Sequence, residues 1–144
     1  MTNTATNWFV WAALSAAFAA LTAIFAKIGL EGIDSDLATL VRTAVILVVL
    51  AAFVVATGKW DNPLALPSKS WLFLVLSGLA TGASWVCYFR ALKVGDASKV
   101  APVDKLSVVL VALLAFALLG ERPTPREWLG IAAVGIGVVV LALK

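Results

Sequence analysis

Asp96-Ala-Ser-Lys-Val-Ala-Pro-Val-Asp-Lys-Leu-Ser-Val-Val-Leu-Val-Ala-Leu-Leu-Ala-Phe-Ala-Leu-Leu119 is the stretch that decides the fold class. From Leu106 to Leu119 every residue but Ser107 is apolar, and the run has no turn residue. A bilayer-crossing helix needs about 20 predominantly apolar residues at about 1.5 Å rise each. This stretch is long enough only if its polar opening is included. Pro102, Asp104, Lys105 and Ser107 therefore fall in the first turns of a membrane helix. Charges there are costly in hydrocarbon and mark a functional site by default.

Working outward, the whole chain has the same character. It has 144 residues, 62% apolar and 13% charged, with a mean hydropathy of +1.04. Soluble domains run at about 45–50% apolar and about 25% charged, so this chain has too little polar surface to cover a water-soluble globule. Its net charge of +3 comes from Lys and Arg scattered at helix ends, without a basic cluster, so a nucleic-acid partner is not expected. With no His and the single Cys87, a Cys/His zinc site, an intrachain disulfide and a His-dependent catalytic set are all impossible. No catalytic residue, metal or cofactor is expected, and Cys87 reads as a small hydrophobe.

Five spans nearly exhaust the length: about 8–30, 37–57, 70–92, 98–119 and 125–143. The leader Met1–Asn7 lacks Lys and Arg, and the run after it is too long for a cleaved signal core, so that run reads as the first spanning helix. Trp8 and Trp11 suit one membrane interface. Ala12, Ala16, Ala19, Ala23 and Ala26 form a stripe for close helix packing, with Lys27 beside it. In the second span Arg42 lies several residues inside. A guanidinium cannot shed its proton, so it must snorkel, meet water or find a carboxylate. Gly78, Thr81, Gly82, Trp85, Tyr88 and Phe89 share a broad face of the third span, either a packing groove or a ligand-cavity wall. Arg90 approaches from the same end as Asp104, so an Arg90–Asp104 or Lys105–Asp104 pair is expected. Pro102 either opens the fourth helix or kinks it. Thr124-Pro-Arg-Glu127 has the pattern of a capping box. Gly130, Ala133 and Gly137 line one side of the last helix and suit close packing, including packing between subunits.

Five spans put the termini on opposite sides. Lys59, Lys69, Arg122 and Arg126 lie on the N-terminal side; Lys27, Arg42, Arg90, Lys93, Lys99, Lys105 and Lys144 lie on the other, together all eleven Lys and Arg. The positive-inside rule favours an external N-terminus. Discounting the intraspan Arg42 and Lys105 nearly balances the two sides, which allows insertion in both orientations.

Tyr88-Phe-Arg-Ala-Leu92, Gly95 through Ser107, Leu119-Gly-Glu121 and Trp128-Leu-Gly-Ile-Ala-Ala-Val-Gly-Ile-Gly-Val138 resemble the EamA family of the drug/metabolite transporter superfamily. The resemblance extends over essentially the whole chain. It implies an all-α integral membrane protein with five transmembrane helices, one EamA-type repeat of a ten-helix fold, as a single domain over 1–144 in a prokaryotic plasma membrane. Inverted repeats meet around a midplane site, and a lone repeat regains that geometry as an antiparallel homodimer. The expected function is secondary-active transport of a small metabolite, an anionic or zwitterionic one given the nearby cations. The alternatives are a structural or assembly subunit of a larger membrane complex and a flippase component for a lipid-linked group. Binding or gating residues are expected among Lys27, Arg42, Thr81, Trp85, Tyr88, Arg90, Asp104, Lys105 and Ser107. The expected partners are the bilayer, a small-molecule substrate and a second copy of the chain.

Overall fold

The structure is a computed structural model and describes the backbone of residues 4–143, with side chains from residue 8. Lys144 and the first residues of the leader lie outside the described residues. The helices are α1 (Thr4–Gly29), α2 (Ser35–Ala56), α3 (Ser68–Val94), α4 (Ala97–Asp104), α5 (Leu106–Leu114) and α6 (Pro125–Ala142). A 3₁₀ turn (Pro63–Ala65) precedes α3, and a π turn (Ala115–Leu119) follows α5. Five segments are long and apolar enough to cross a membrane: Trp8–Gly29, Ser35–Ala56, Ser68–Val94, Ala97–Leu119 and Pro125–Ala142.

The chain divides into two compact units, Ala26–Lys93, and Met1–Phe25 with Val94–Lys144. In Ala26–Lys93 the hairpin of α2 and α3 is tied at one end by polar contacts. The turn before α2 uses Gly32 at φ 71°, a left-handed conformation that favours glycine. Asp34 then caps α2, its Oδ1 accepting from the N–H groups of Asp36 (2.9 Å) and Leu37 (3.1 Å). Leu30, Phe89, Leu92 and Thr39 are buried. At the other end, Asn62 caps the 3₁₀ turn, and the Trp71 indole N–H donates to the Pro63 carbonyl at 2.8 Å. The indole N–H of this exposed tryptophan thus finds its acceptor within the loop.

In the other unit, the span after Asp96 is not one smooth helix. Pro102 sits inside α4 and lacks the N–H that would bond one turn back. Helix α4 ends at Asp104, Lys105 closes it with a tight bond from its N–H to the Pro102 carbonyl (2.9 Å), and α5 begins at Leu106. Of the two roles open to Pro102, the structure adopts the internal one, and the fourth span is interrupted at Lys105, between α4 and α5. The same span widens into the π turn before Gly120 stops it at φ 69°. A wide last turn followed by a left-handed glycine is a common way for a helix to stop.

Helix α6 starts at the capping box read from the sequence. The Thr124 backbone N–H and hydroxyl donate to Glu127 Oε2 at 2.6 and 2.9 Å, and the Glu127 N–H donates to Thr124 Oγ1 at 3.4 Å. Helix α6 packs on α4 and α5. The glycine that permits the approach is Gly135: a Cβ there would lie 3.2 Å from Val109 Cγ2. Gly130 and Gly137, the glycines of the expected packing stripe, meet nothing within 4 Å, nor do Gly78 and Gly82 on α3. The packed small residue is thus one that the stripe did not include.

Outward surface is the dominant feature of every span. Phe18, Leu47, Val48, Leu79 and Leu118 are each more than 65% exposed. A soluble chain would aggregate through such a surface, whereas a bilayer solvates it.

Candidate functional site

The register of α2 against α3 is set by one ion pair. Arg90 Nε donates to Asp36 Oδ1 at 2.9 Å and Nη2 to Oδ2 at 2.6 Å, a fork-to-fork contact. Two further cations fasten the same end. Lys27 Nζ donates to the Leu92 carbonyl at 2.6 Å, and Lys93 Nζ donates to the Ile33 carbonyl. Each satisfies a backbone oxygen at a helix end or in the α1–α2 turn, where the carbonyls lack partners of their own.

With that register fixed, Arg42 on α2 lies over α3. Its guanidinium carbon is 4.1 Å from the Trp85 ring centroid and 5.3 Å from that of Phe89. Trp85 and Phe89 are four apart and share a face of α3. Arg42 follows Ser35 by seven residues, which puts it about 10 Å along the span. It is half-buried. Among the described residues the ion pairs are Arg90–Asp36, Lys99–Asp96 and Lys105–Asp104, and none includes Arg42. A permanent cation in an apolar span is thus held on an aromatic shelf, without a carboxylate. Cation–π stacking supplies about 0.5–2 kcal/mol, against an insertion cost of about 2.5–3.5 kcal/mol for Arg at a helix centre. Its edge donors are suited to a planar oxyanion.

The hydroxyls nearby are committed to their own helices. Thr39 donates to the Ser35 carbonyl (2.8 Å), Thr43 to that of Thr39 (2.7 Å), and Thr81 to that of Ser77 (2.8 Å). Tyr88 is half-buried beside Phe89, ring centroids 6.4 Å apart.

Of the residues singled out from the sequence, the structure brings together Arg42 and Trp85 in the α2–α3 hairpin, with Lys27, Tyr88, Thr81 and Arg90 in the same unit. Asp104, Lys105 and Ser107 belong to the other unit. There Lys105 Nζ reaches Asp104 Oδ2 at 3.3 Å, with both side chains well exposed. Of the two pairs weighed for Asp104, this is the Lys105–Asp104 one; the carboxylate on Arg90 is that of Asp36. The first turn of α2 presents its carboxylate to the last turns of α3, so the hairpin itself supplies the partner of Arg90. Asp36 was missed as a site residue, and Phe89, read on the possible cavity wall of the third span, was left out of the expected binding residues.

The EamA-like transporter family matches residues 6–143. The chain belongs to this family. It is 59% identical over 137 residues to a Sinorhizobium sp. protein named "Uncharacterized transporter in cobO 3'region", covering 95% of this chain and 97% of that one. It is 30% identical over 84 residues to a Yersinia pestis (strain Pestoides F) protein named "Probable 4-amino-4-deoxy-L-arabinose-phosphoundecaprenol flippase subunit ArnE". That match covers 58% of this chain and 74% of the relative, and the protein of the same name from Yersinia pseudotuberculosis serotype O:3 (strain YPIII) matches equally. No solved structure matches the chain. The protein is a multi-pass membrane transporter of the EamA family, in the bacterial inner membrane.

Proposed function

We propose that the chain acts as a single membrane domain moving a small anionic or zwitterionic metabolite, with Arg42 on the Trp85–Phe89 shelf as the receptor for its negative group. The observation that carries this reading is the partition of the cations in the α2–α3 unit. Lys27, Arg90 and Lys93 are bonded to internal oxygens, whereas Arg42 faces aromatic rings and enters no ion pair among the described residues. Arg90 then serves as a positioning residue, and Lys27 secures the hairpin. Thr81 and Tyr88 flank the shelf on α3. Asp104, Lys105 and Ser107 serve as a gate at the break between α4 and α5, where the helix is least regular.

Transport by one five-helix repeat calls for a second, and an antiparallel homodimer supplies it in the inverted arrangement that such transporters use. The test is uptake or efflux by proteoliposomes of the purified chain against pools of small acids and zwitterions. Active wild type with an inactive Arg42→Gln that still inserts supports the reading. Equal rates for the two defeat it.

A second reading rests on the likeness to flippase subunits. In it the negative group is the phosphate of a lipid-linked sugar, and the chain works beside a different partner. Recovery of a fixed heteromeric partner, with no flux through the pure chain, favours that reading.

A further inference from the structure

Met1–Phe25 with Val94–Lys144 contains a groove of about 770 Å³ between α1, α5 and α6. Its floor is apolar, with Val111, Ala112, Ile131 and Val134 among its lining, and its rim is the polar loop at Glu121, Arg122 and Pro123. We propose that this groove is a lipid site, taking one acyl chain of a glycerophospholipid whose headgroup carries both a phosphate and a primary ammonium.

Three observations commit the groove to that occupant. The first is its polarity gradient. Charged residues stand at the helix ends and only apolar ones below them, with Trp8 also in the lining, an aromatic suited to the headgroup level. The second is its depth. From Pro125 to Val134 is nine residues, about 14 Å of helix, close to half of the ~30 Å hydrocarbon core. The groove is therefore confined to one leaflet, as a lipid is, whereas a partner helix crosses both.

The third observation is charge at the rim. Glu121 and Arg122 are adjacent and opposite in sign, yet neither enters an ion pair among the described residues. Glu127, the other carboxylate in the lining, is occupied by Thr124 in the capping box. The rim thus offers one guanidinium for a phosphate and one carboxylate for an ammonium. A primary ammonium donates hydrogen bonds to a carboxylate, which a quaternary one cannot. The π turn holds this geometry: the Glu121 N–H donates to the Ala115 carbonyl at 3.3 Å, which ties the rim to the wall of the groove.

The site is tested with the purified full chain in vesicles of equimolar phosphatidylethanolamine, phosphatidylcholine and phosphatidylglycerol. The protein is extracted in mild detergent, and its retained lipid is read by native mass spectrometry. The expected result is enrichment of phosphatidylethanolamine over both others. That enrichment falls about tenfold in Glu121→Gln, the loss expected for one charge-assisted hydrogen bond. Ala112→Trp fills the floor without touching the rim and lowers retention of all three lipids. Lys59→Gln, outside the groove, serves as the control and changes nothing. Equal retention of the three lipids by wild type overturns the proposal, and so does enrichment that survives both Glu121→Gln and Ala112→Trp. Efficient self-crosslinking of Val111→Cys in a Cys87→Ser background overturns it as well, since a second copy would then fill the groove.

Discussion

Replacing Arg42 by Gln separates two accounts of this half-buried cation by the sign of the stability change. The substitution keeps an extended polar side chain and removes the charge. It forfeits the stack on Trp85 at 4.1 Å, about 0.5–2 kcal/mol. It also relieves a cost of about 2.5–3.5 kcal/mol for placing Arg in a membrane helix. Since the glutamine amide is itself polar, the net change falls between zero and a modest stabilisation. Binding behaves in the opposite way. A hydrogen bond to a charged group contributes about 1.5–3 kcal/mol, so its loss weakens an anionic ligand roughly 10- to 150-fold.

Thermal shift in detergent reads both quantities at once. A ligand at 100 times its Kd stabilises wild type by about 2.7 kcal/mol. At the same concentration a variant bound 100-fold more weakly gains only about 0.4 kcal/mol. The expected result is an apo melting temperature at or above wild type with the ligand-induced shift nearly abolished. A clear drop in apo stability with the shift intact would refute the reasoning, because Arg42 would then be cementing α2 to α3.

The remaining tests address the scaffold around that site. Asp36→Asn breaks the fork to Arg90, so it should weaken substrate affinity although Asp36 is not proposed to touch substrate. In a double-mutant cycle, adding Arg90→Gln should cost little more, as shared partners couple. Gly135→Ala places a methyl 3.2 Å from Val109 Cγ2 and should lower stability by about 1 kcal/mol, the low end of overpacking costs; Gly137→Ala, with nothing within 4 Å, should be neutral or stabilising by unfolding assay. C-terminal reporter fusions should place the C-terminus on both sides of the membrane. A single fixed orientation would remove the antiparallel homodimer.

The architecture was legible in the sequence because each span announces itself by composition, and composition does not depend on partners. The capping box at Thr124–Glu127 was legible for a similar reason: both members lie within one turn, so spacing alone determines the contact. What sequence could not give was the choice among equally charged candidates. For Arg90 the sequence pointed to Asp104, and only the hairpin geometry brings Asp36 to it. Lys27, expected among the binding or gating residues, reaches the Leu92 carbonyl 65 residues away. The break at Lys105 was half visible, since Pro102 signals a missing hydrogen bond but leaves open where the helix gives way. The π turn at Ala115–Leu119 carries no signal in its plain apolar residues.

This division of the cations bears on how so short a chain can hold a charged site. Helices in a bilayer gain little from burying apolar surface against one another, because lipid tails are as apolar as leucine. Specific polar contacts therefore carry much of the orientation, and here they cluster where α2 begins and α3 ends. Asp36–Arg90, Lys27–Leu92 and Lys93–Ile33 fix the hairpin there, where water competes and charges are tolerable. Two turns deeper, where a charge is costly, that same register lays Arg42 on Trp85 and Phe89. If the clamp sets the geometry of the receptor, changes at Asp36 and Arg42 should both reduce substrate affinity, but only the Asp36 change should lower the hairpin's resistance to unfolding. A receptor that kept its affinity after the clamp was cut would show that lipid or a partner chain, and not the ion pair, holds α2 against α3.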